Sequence, residues 1–326
     1  MEDKRGEKRK LWWHNHLHDV LVPKLSMKRR NGRHDYHSRR MYMITLAVQG
    51  RKPVLGELCA PDDSHNDPWV KPSKLGELIL ENWTTIPLHY PEVQNLAIQL
   101  MPDHVHFILF VTKRVPYHLG KVVNGFKIGC NKASRELLGT PLWEEGYHDR
   151  ILQKEGQLET MIRYLHDNPR RLWTKRNNPE FFIIQREVSI GNNVVAMAGN
   201  RFLLEYPMKA VVQCSRSINT KEAIAREVGR YLAMARDGAV LVSPSISPCE
   251  KTVMRAAFEA GVKEIVLLEN GFSPMWKPGG AQFDACARGQ LLFIAPWPYH
   301  SERKTITRSQ CMQLNELARV IATNKP

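Results

Sequence analysis

The run Gln99-Leu100-Met101-Pro102-Asp103-His104-Val105-His106-Phe107-Ile108-Leu109-Phe110-Val111 constrains this chain more than any other stretch. Its apolar residues and its Met-Pro-Asp interruption predict a strand over Val93–Leu100, a turn, and a strand over His104–Val111. Side chains alternate across a strand, so His104 and His106 share one face while Val105 takes the other. Two imidazoles so placed can share a divalent metal. The same spacing also fits two half-exposed polar positions on an edge strand. Residues downstream decide between the two.

A chain of 326 residues is long enough for two ordinary domains, and its composition is globular. The net charge of +14 implies an anionic partner, of which nucleic acid is the commonest. A basic protein with no polyanion partner is the alternative. Cys59, Cys130, Cys214, Cys249, Cys286 and Cys311 show no C-x-x-C spacing, which argues against zinc ribbons and a secreted disulfide framework. No apolar run reaches membrane-spanning length, and no signal-peptide stretch follows the basic N-terminus. The expectation is a cytoplasmic protein with no membrane partner.

Residues 1–40 are rich in Lys, Arg and His and read as a basic arm that orders on nucleic acid, with Trp12, Trp13 and Tyr36 available to stack on unpaired bases. A second His-apolar-His spacing, His16-Leu17-His18 with His14 before it, lacks flanking strand residues and reads as part of that arm. From residue 41 the pattern becomes regular: a strand over Tyr42–Val48, a helix over Lys74–Trp83, and the two strands above. Next come a basic amphipathic helix over Leu119–Leu138, a strand over Tyr147–Gln153, and a helix over Glu155–Asn168 ended near Pro169. The order βαββαβα predicts an α+β domain over 41–178, an antiparallel sheet with helices on one face.

After the junction Lys175-Arg176-Asn177-Asn178-Pro179, the pattern changes to strand and helix in alternation. Strands are expected at Ala210–Gln213, Ala239–Val242 and Glu264–Leu268. Asn219 and Glu222 have capping-box spacing before a helix ending at Gly238, and another helix runs to Gly261. Apolar strands alternating with helices predict a second, α/β domain over 179–326 with a parallel, doubly wound sheet.

Tyr164-Leu165-His166-Asp167-Asn168-Pro169 lies on the last helix of the first domain. Leu158, Ile162 and Leu165 form its apolar stripe, while Tyr164 and Asn168, one turn apart, project together away from it. Taken alone, Tyr164 reads equally as a surface residue. A His-apolar-His strand followed by a Tyr-x-x-x-Asn helix resembles the single-tyrosine HUH endonucleases, and in particular the REP-associated tyrosine transposases of the IS200-like group. The resemblance runs over about 41–176. It takes in Met101-Pro102-Asp103-His104-Val105-His106, Phe126-Lys127, Leu142-Trp143-Glu144-Glu145-Gly146-Tyr147-His148-Asp149-Arg150-Ile151 and Arg163 through Pro169. Asp103 departs from the family, which more often has Asn there.

What the resemblance implies is a metal-dependent transposase. His104, His106 and Asn168 would hold one Mg²⁺ or Mn²⁺, which polarises the scissile phosphate. Tyr164 would attack phosphorus and form a 5′-phosphotyrosine link that preserves the bond for strand transfer. A phenol, ionising near pH 10, needs deprotonation or metal help for this at neutral pH. The implied partner is single-stranded or hairpin DNA, and the family's habit implies a homodimer. Lys121, Lys127, Lys132, Arg135 and Arg163 are candidate DNA contacts. His148 and His166 stand near the constellation in sequence as DNA-contacting, assisting or structural residues.

In the second domain, Ala210–Ser217, Val240–Pro244 and Gly289–Pro296 resemble, in order and spacing over about 208–322, the Rossmann-like domain of the DNA-processing protein A family. That family usually has Gly-Ser-Arg where Cys214-Ser215-Arg216 stands, and Cys214 removes the freedom of a glycine. Ser215 and Arg216 are therefore doubtful phosphate-loop candidates. The domain reads as an accessory DNA-binding or self-association unit, or as a scaffold whose ligand site has decayed. Rival readings of the whole chain are a non-catalytic single-stranded DNA or hairpin binder, and a recombination mediator, each derived from a transposase.

Overall fold

The computed structural model describes residues 31–323 apart from Gly32, Thr140 and Arg303. Trp12, Trp13 and the His14–His18 stretch lie outside the described residues. The chain forms two compact units that divide between Trp173 and Thr174. Among the described residues no helix is long and apolar enough to cross a membrane.

In the first unit, β1 (Arg40–Ala47) is followed by a hairpin of β2 (Gly56–Cys59) and β3 (Trp69–Pro72), and then by α1 (Lys74–Thr84) and α2 (Ile86–His89). Next come β4 (Val93–Met101), β5 (His104–Val111), α3 (Leu119–Leu138), β6 (His148–Leu152) and α4 (Gln157–Asn177). The main sheet has the order β4-β5-β1-β6, with every pair antiparallel. Ser73 starts α1 by accepting from Gly76 N–H, and Gly139, with φ +66°, ends α3.

Helices cover both faces of this sheet, where the sequence pattern had suggested one. Tyr42, Ile44, Leu46, Val105, Phe107 and Leu109 pack toward Leu75 and Ile79 of α1 and Val122, Val123 and Phe126 of α3. The alternate residues Met43, Ile108 and Leu152 pack on Met161 and Leu165 of α4. The reason is visible in β1 and β5, whose residues are apolar at nearly every position rather than at every second one.

The last helix also runs past the expected stop at Pro169, to Asn177. Pro169 cannot donate to Leu165 O, but Asn168 Nδ2 donates to that carbonyl at 3.3 Å in its place. Beyond the proline, Leu172 and Trp173 pack against Leu58, Val70 and Met101, so the β2–β3 hairpin holds the continuation in the helix.

The second unit holds β7 (Gln185–Ile190), β8 (Asn193–Gly199), β9 (Lys209–Val211), α5 (Lys221–Arg236), β10 (Val240–Ser243) and α6 (Pro248–Glu259). It ends with β11 (Glu264–Leu267), α7 (Ala281–Ala287), β12 (Leu291–Ala295) and α8 (Arg308–Thr323). Its sheet has the order β7-β8-β12-β11-β10-β9, in which β9 to β12 are parallel and the β7–β8 hairpin adds antiparallel to β12. The parallel strands follow one another in chain order. A doubly wound sheet reverses its order part-way, and the reversal makes its ligand crevice. This sheet has no reversal, so its connecting helices share one face: α5 and α6 pack on Val212 and Leu241, and α7 near Leu291 and Phe293. The other face is closed by Leu314, Leu317 and Ile321 of α8 against Val240, Val242, Ile265 and Leu292. Thr220, rather than Asn219, caps α5 by accepting from Ala223 N–H.

Candidate metal and tyrosine site

β1, β5 and β6 place a row of polar side chains on the face that α4 covers. His106 pairs with Thr45, Thr45 with His148 on its other side, and His106 with Gln99 across β4. His104 is one step further along β5, opposite Ala47. The Nε2 atoms of His104 and His106 stand 3.1 Å apart, with their rings nearly perpendicular. Both outer nitrogens are engaged: His104 Nδ1 donates to Asp103 Oδ1 at 2.5 Å, and His106 Nδ1 lies 2.7 Å from Thr45 Oγ1. Arg51 reaches the other oxygen of Asp103 at 3.5 Å.

Burial favours the neutral, ligand form of His106. His106 is only 8% exposed. That burial, followed by the nearby His104 and Arg51, pushes its pKa down to about 3, so it is neutral at physiological pH. Burial alone would raise the Asp103 carboxyl, but the His104 hydrogen bond and the charges of His104 and Arg51 outweigh it and hold the pKa below the usual range.

Tyr164 flanks the buried Met161–Leu165 stripe of α4, is 38% exposed, and has its ring centroid 6.3 Å from that of His106. Asn168 is one turn on, half-buried, its Nδ2 donating to Tyr164 O at 2.9 Å and to Leu165 O at 3.3 Å. The fold therefore brings His104, His106 and Tyr164 to one place from segments some sixty residues apart. Thr45 and Gln99 belong to the same surface and were not singled out from sequence.

The 3.1 Å separation of the two Nε2 atoms is hydrogen-bond distance, and the two nitrogens converge closely enough that both could face one divalent cation. Among the described residues, no group of three or more His, Cys, Asp or Glu could hold a metal ion. Two nitrogens leave the remaining positions to oxygens from an amide, a phosphate or water, as a hard divalent cation prefers.

The other residues singled out from sequence divide. Lys121, Lys132, Arg135, His148, Arg163 and His166 are exposed. Lys127 is half-buried, its ammonium donating to Glu144 O at 2.8 Å and Gly146 O at 3.0 Å, so it braces the loop before β6. A cavity of about 850 Å³ lies between that loop and α3, lined by Gln49, Lys121, Asn124, Ile128 and Trp143, and it does not include the histidine pair. Tyr36 is not free to stack on bases. It is 3% exposed, lies against Tyr42 and His118, and donates to Asp149 Oδ2 at 2.8 Å.

In the second unit, Ser215 and Arg216 are exposed, and Ser215 Oγ contacts Ser217 Oγ. The neighbouring amides are already engaged. Cys214 N–H donates to Glu250 Oε1 at 3.1 Å, and Ile246 and Ser247 N–H donate to Oε2 at 2.7 and 3.1 Å. The Glu250 carboxylate thus takes up these three amides, one of them through the capping box it forms with Ser247 at the start of α6.

No family model matches the chain. It is 23% identical over 157 residues to an uncharacterized protein of Haemophilus influenzae strain Rd, covering 42% of this chain and 83% of that one. Among solved structures, a REP-associated tyrosine transposase bound to a REP hairpin is similar at 13% identity and TM-score 0.33, covering 43% of this chain and 72% of that one. A transposase candidate of Deinococcus radiodurans has 18% identity and TM-score 0.25, covering 42% and 97%. DNA processing protein A of Helicobacter pylori, whose structure concerns single-stranded DNA binding, has 15% identity and TM-score 0.32, covering 43% and 66%. At such scores the likenesses decide nothing about this chain's chemistry, which rests on its own geometry.

Proposed function

We propose that the first unit is a metal-dependent single-tyrosine nuclease and strand transferase acting on single-stranded, hairpin-forming DNA, with Mg²⁺ or Mn²⁺ held by His104 and His106. The observation that carries this reading is the 3.1 Å imidazole pair with a half-exposed tyrosine beside it. Asn168 Oδ1 is the proposed third protein ligand, since Nδ2 is turned to the helix. When bound, the cation would supply Lewis-acid polarisation of the scissile phosphate.

The remaining work falls to side chains. Tyr164 Oη bonds to phosphorus as the bond from phosphorus to the 3′-oxygen breaks. The phenol proton leaves to water, and the departing 3′-oxygen takes one up. The product is a 5′-phosphotyrosine and a free 3′-hydroxyl, and a second strand's hydroxyl can reverse the step on a new partner. The stripe of α4 on the sheet fixes where Tyr164 stands relative to the pair, which is the positioning such a displacement needs. Exposed Lys121, Lys132, Arg135 and Arg163 are the proposed phosphate contacts. We assign the second unit an accessory role in DNA binding or self-association, and the working form is proposed to be a homodimer.

End-labelled hairpin DNA incubated with the full chain and Mn²⁺ tests the polarity. The reading expects protein attached to the 3′-labelled fragment and a free 5′-labelled fragment ending in a hydroxyl. Cleavage that leaves protein on neither fragment would point to hydrolysis and reject the tyrosine mechanism.

A further inference from the structure

The two imidazoles have different partners on their outer nitrogens, and the difference gives them different tasks. A carboxylate only accepts, so the Asp103 contact puts the hydrogen of a neutral His104 on Nδ1. His104 Nε2 is then a bare lone pair facing His106 Nε2 at 3.1 Å. A second bare lone pair at that distance repels the first. In the metal-free chain His106 therefore carries its hydrogen on Nε2 and donates it to His104. That leaves His106 Nδ1 as an acceptor, 2.7 Å from the Thr45 hydroxyl.

A cation shared by both Nε2 atoms reverses the demand on His106, which must now carry its hydrogen on Nδ1. A carboxylate in Thr45's place could not serve both states, because it has no hydrogen to give. A hydroxyl can, since it offers one donor and two acceptor sites and rotates. We propose that Thr45 is a tautomer hinge: its hydroxyl donates to His106 Nδ1 in the metal-free chain and accepts from it when a divalent cation joins the two Nε2 atoms. Asp103 holds His104 in the binding tautomer throughout. One hydrogen leaves Nε2 to water and one arrives at Nδ1 from water, so no net proton is released. The chain thereby keeps every ring nitrogen of the pair partnered before and after loading, in a spot where a buried, unpartnered nitrogen is costly. This inference rests on reading the histidine pair as a metal site.

The test uses the full chain labelled with ¹⁵N in histidine at pH 8, with Mg²⁺ as the probe for spectra and Mn²⁺ for affinity by electron paramagnetic resonance. Expected are Nδ1–H for His104 with and without Mg²⁺, and a change from Nε2–H to Nδ1–H for His106 on loading. Thr45→Val, close in shape but with no hydroxyl, should bind Mn²⁺ about tenfold more weakly, and Thr45→Ser should recover most of the loss. If Thr45→Val binds as the wild type does, or His106 keeps one tautomer in both states, the hinge is wrong while the metal site stands. Absence of Mn²⁺ binding by the wild-type chain overturns both.

Discussion

Asn168 is asked to do two things at once. Its Nδ2 satisfies the Leu165 carbonyl that Pro169 leaves without a helical donor, and its Oδ1 is the proposed third ligand. Asn168→Ala should therefore lower adduct formation at least tenfold in a Mn²⁺-dependent cleavage assay, while costing only about 1 kcal/mol in urea unfolding. A full loss of folding would assign it to structure alone. A different residue sets a pH response in the second unit. Glu264 opens β11 nearly fully buried, Oε1 has no hydrogen-bond partner, and burial pushes its pKa up to about 8 from an ordinary 4.5. The folded state thus holds a proton that the unfolded chain has released, so stability falls as pH rises from about 4.5 to about 8 and levels off above. Glu264→Gln should flatten that slope, read as hydrogen exchange of the β10–β12 amides between pH 5 and 9. An unchanged slope would show that the carboxyl is not its source. At this scale the sequence displayed the histidines and the tyrosine, because their spacing is local. It hid Thr45, which meets His106 only through strand pairing across sixty intervening residues, and it misplaced Tyr36, whose basic neighbours masked an aromatic core position.

Elements were legible where a period ran long enough. The strands at 93–101 and 104–111 and the helix at 119–138 stand where alternation and amphipathic spacing put them. The β2–β3 and β7–β8 hairpins were not legible: β2 and β3 are only four residues each, β7 is largely polar, and the run Val194–Ala198 of β8 is apolar without a period that marks a strand. Tertiary neighbours explain α4, where packing of Leu172 and Trp173 overrides the local stop at Pro169. In the second unit, Asn200 ties three segments together. Its Nδ2 donates to Cys286 O at 2.9 Å, and its Oδ1 accepts from Leu291 N–H at 3.0 Å, just after Gly199 brings β8 close to the Leu291 carbonyl. Asn200→Ala leaves the Leu291 amide without its partner and removes one of the donors to Cys286 O, which keeps Gly289 N–H at 3.1 Å, and should cost about 1–3 kcal/mol in denaturant unfolding. A loss under 0.5 kcal/mol would mean the brace is dispensable.

For the whole molecule, charge and architecture point to different partners for different reasons. The net charge of +14 suits a polyanion. The first unit holds the constellation proposed to act on one, whereas in the second unit the amides of Cys214, Ile246 and Ser247 are taken by Glu250. The parallel succession of β9 to β12 explains why Rossmann-like order in the sequence did not bring a doubly wound crevice with it, since strand order is invisible in the spacing of motifs. The central claim is that Tyr164, set beside the His104–His106 pair, becomes covalently joined to DNA. Mass spectrometry of the protein recovered from single-stranded hairpin DNA with Mn²⁺ tests it most directly. The account predicts a nucleotide-bearing peptide modified at Tyr164, absent from Tyr164→Phe and from His106→Ala. DNA binding without an adduct under any divalent metal, or an adduct that persists in Tyr164→Phe, would contradict it.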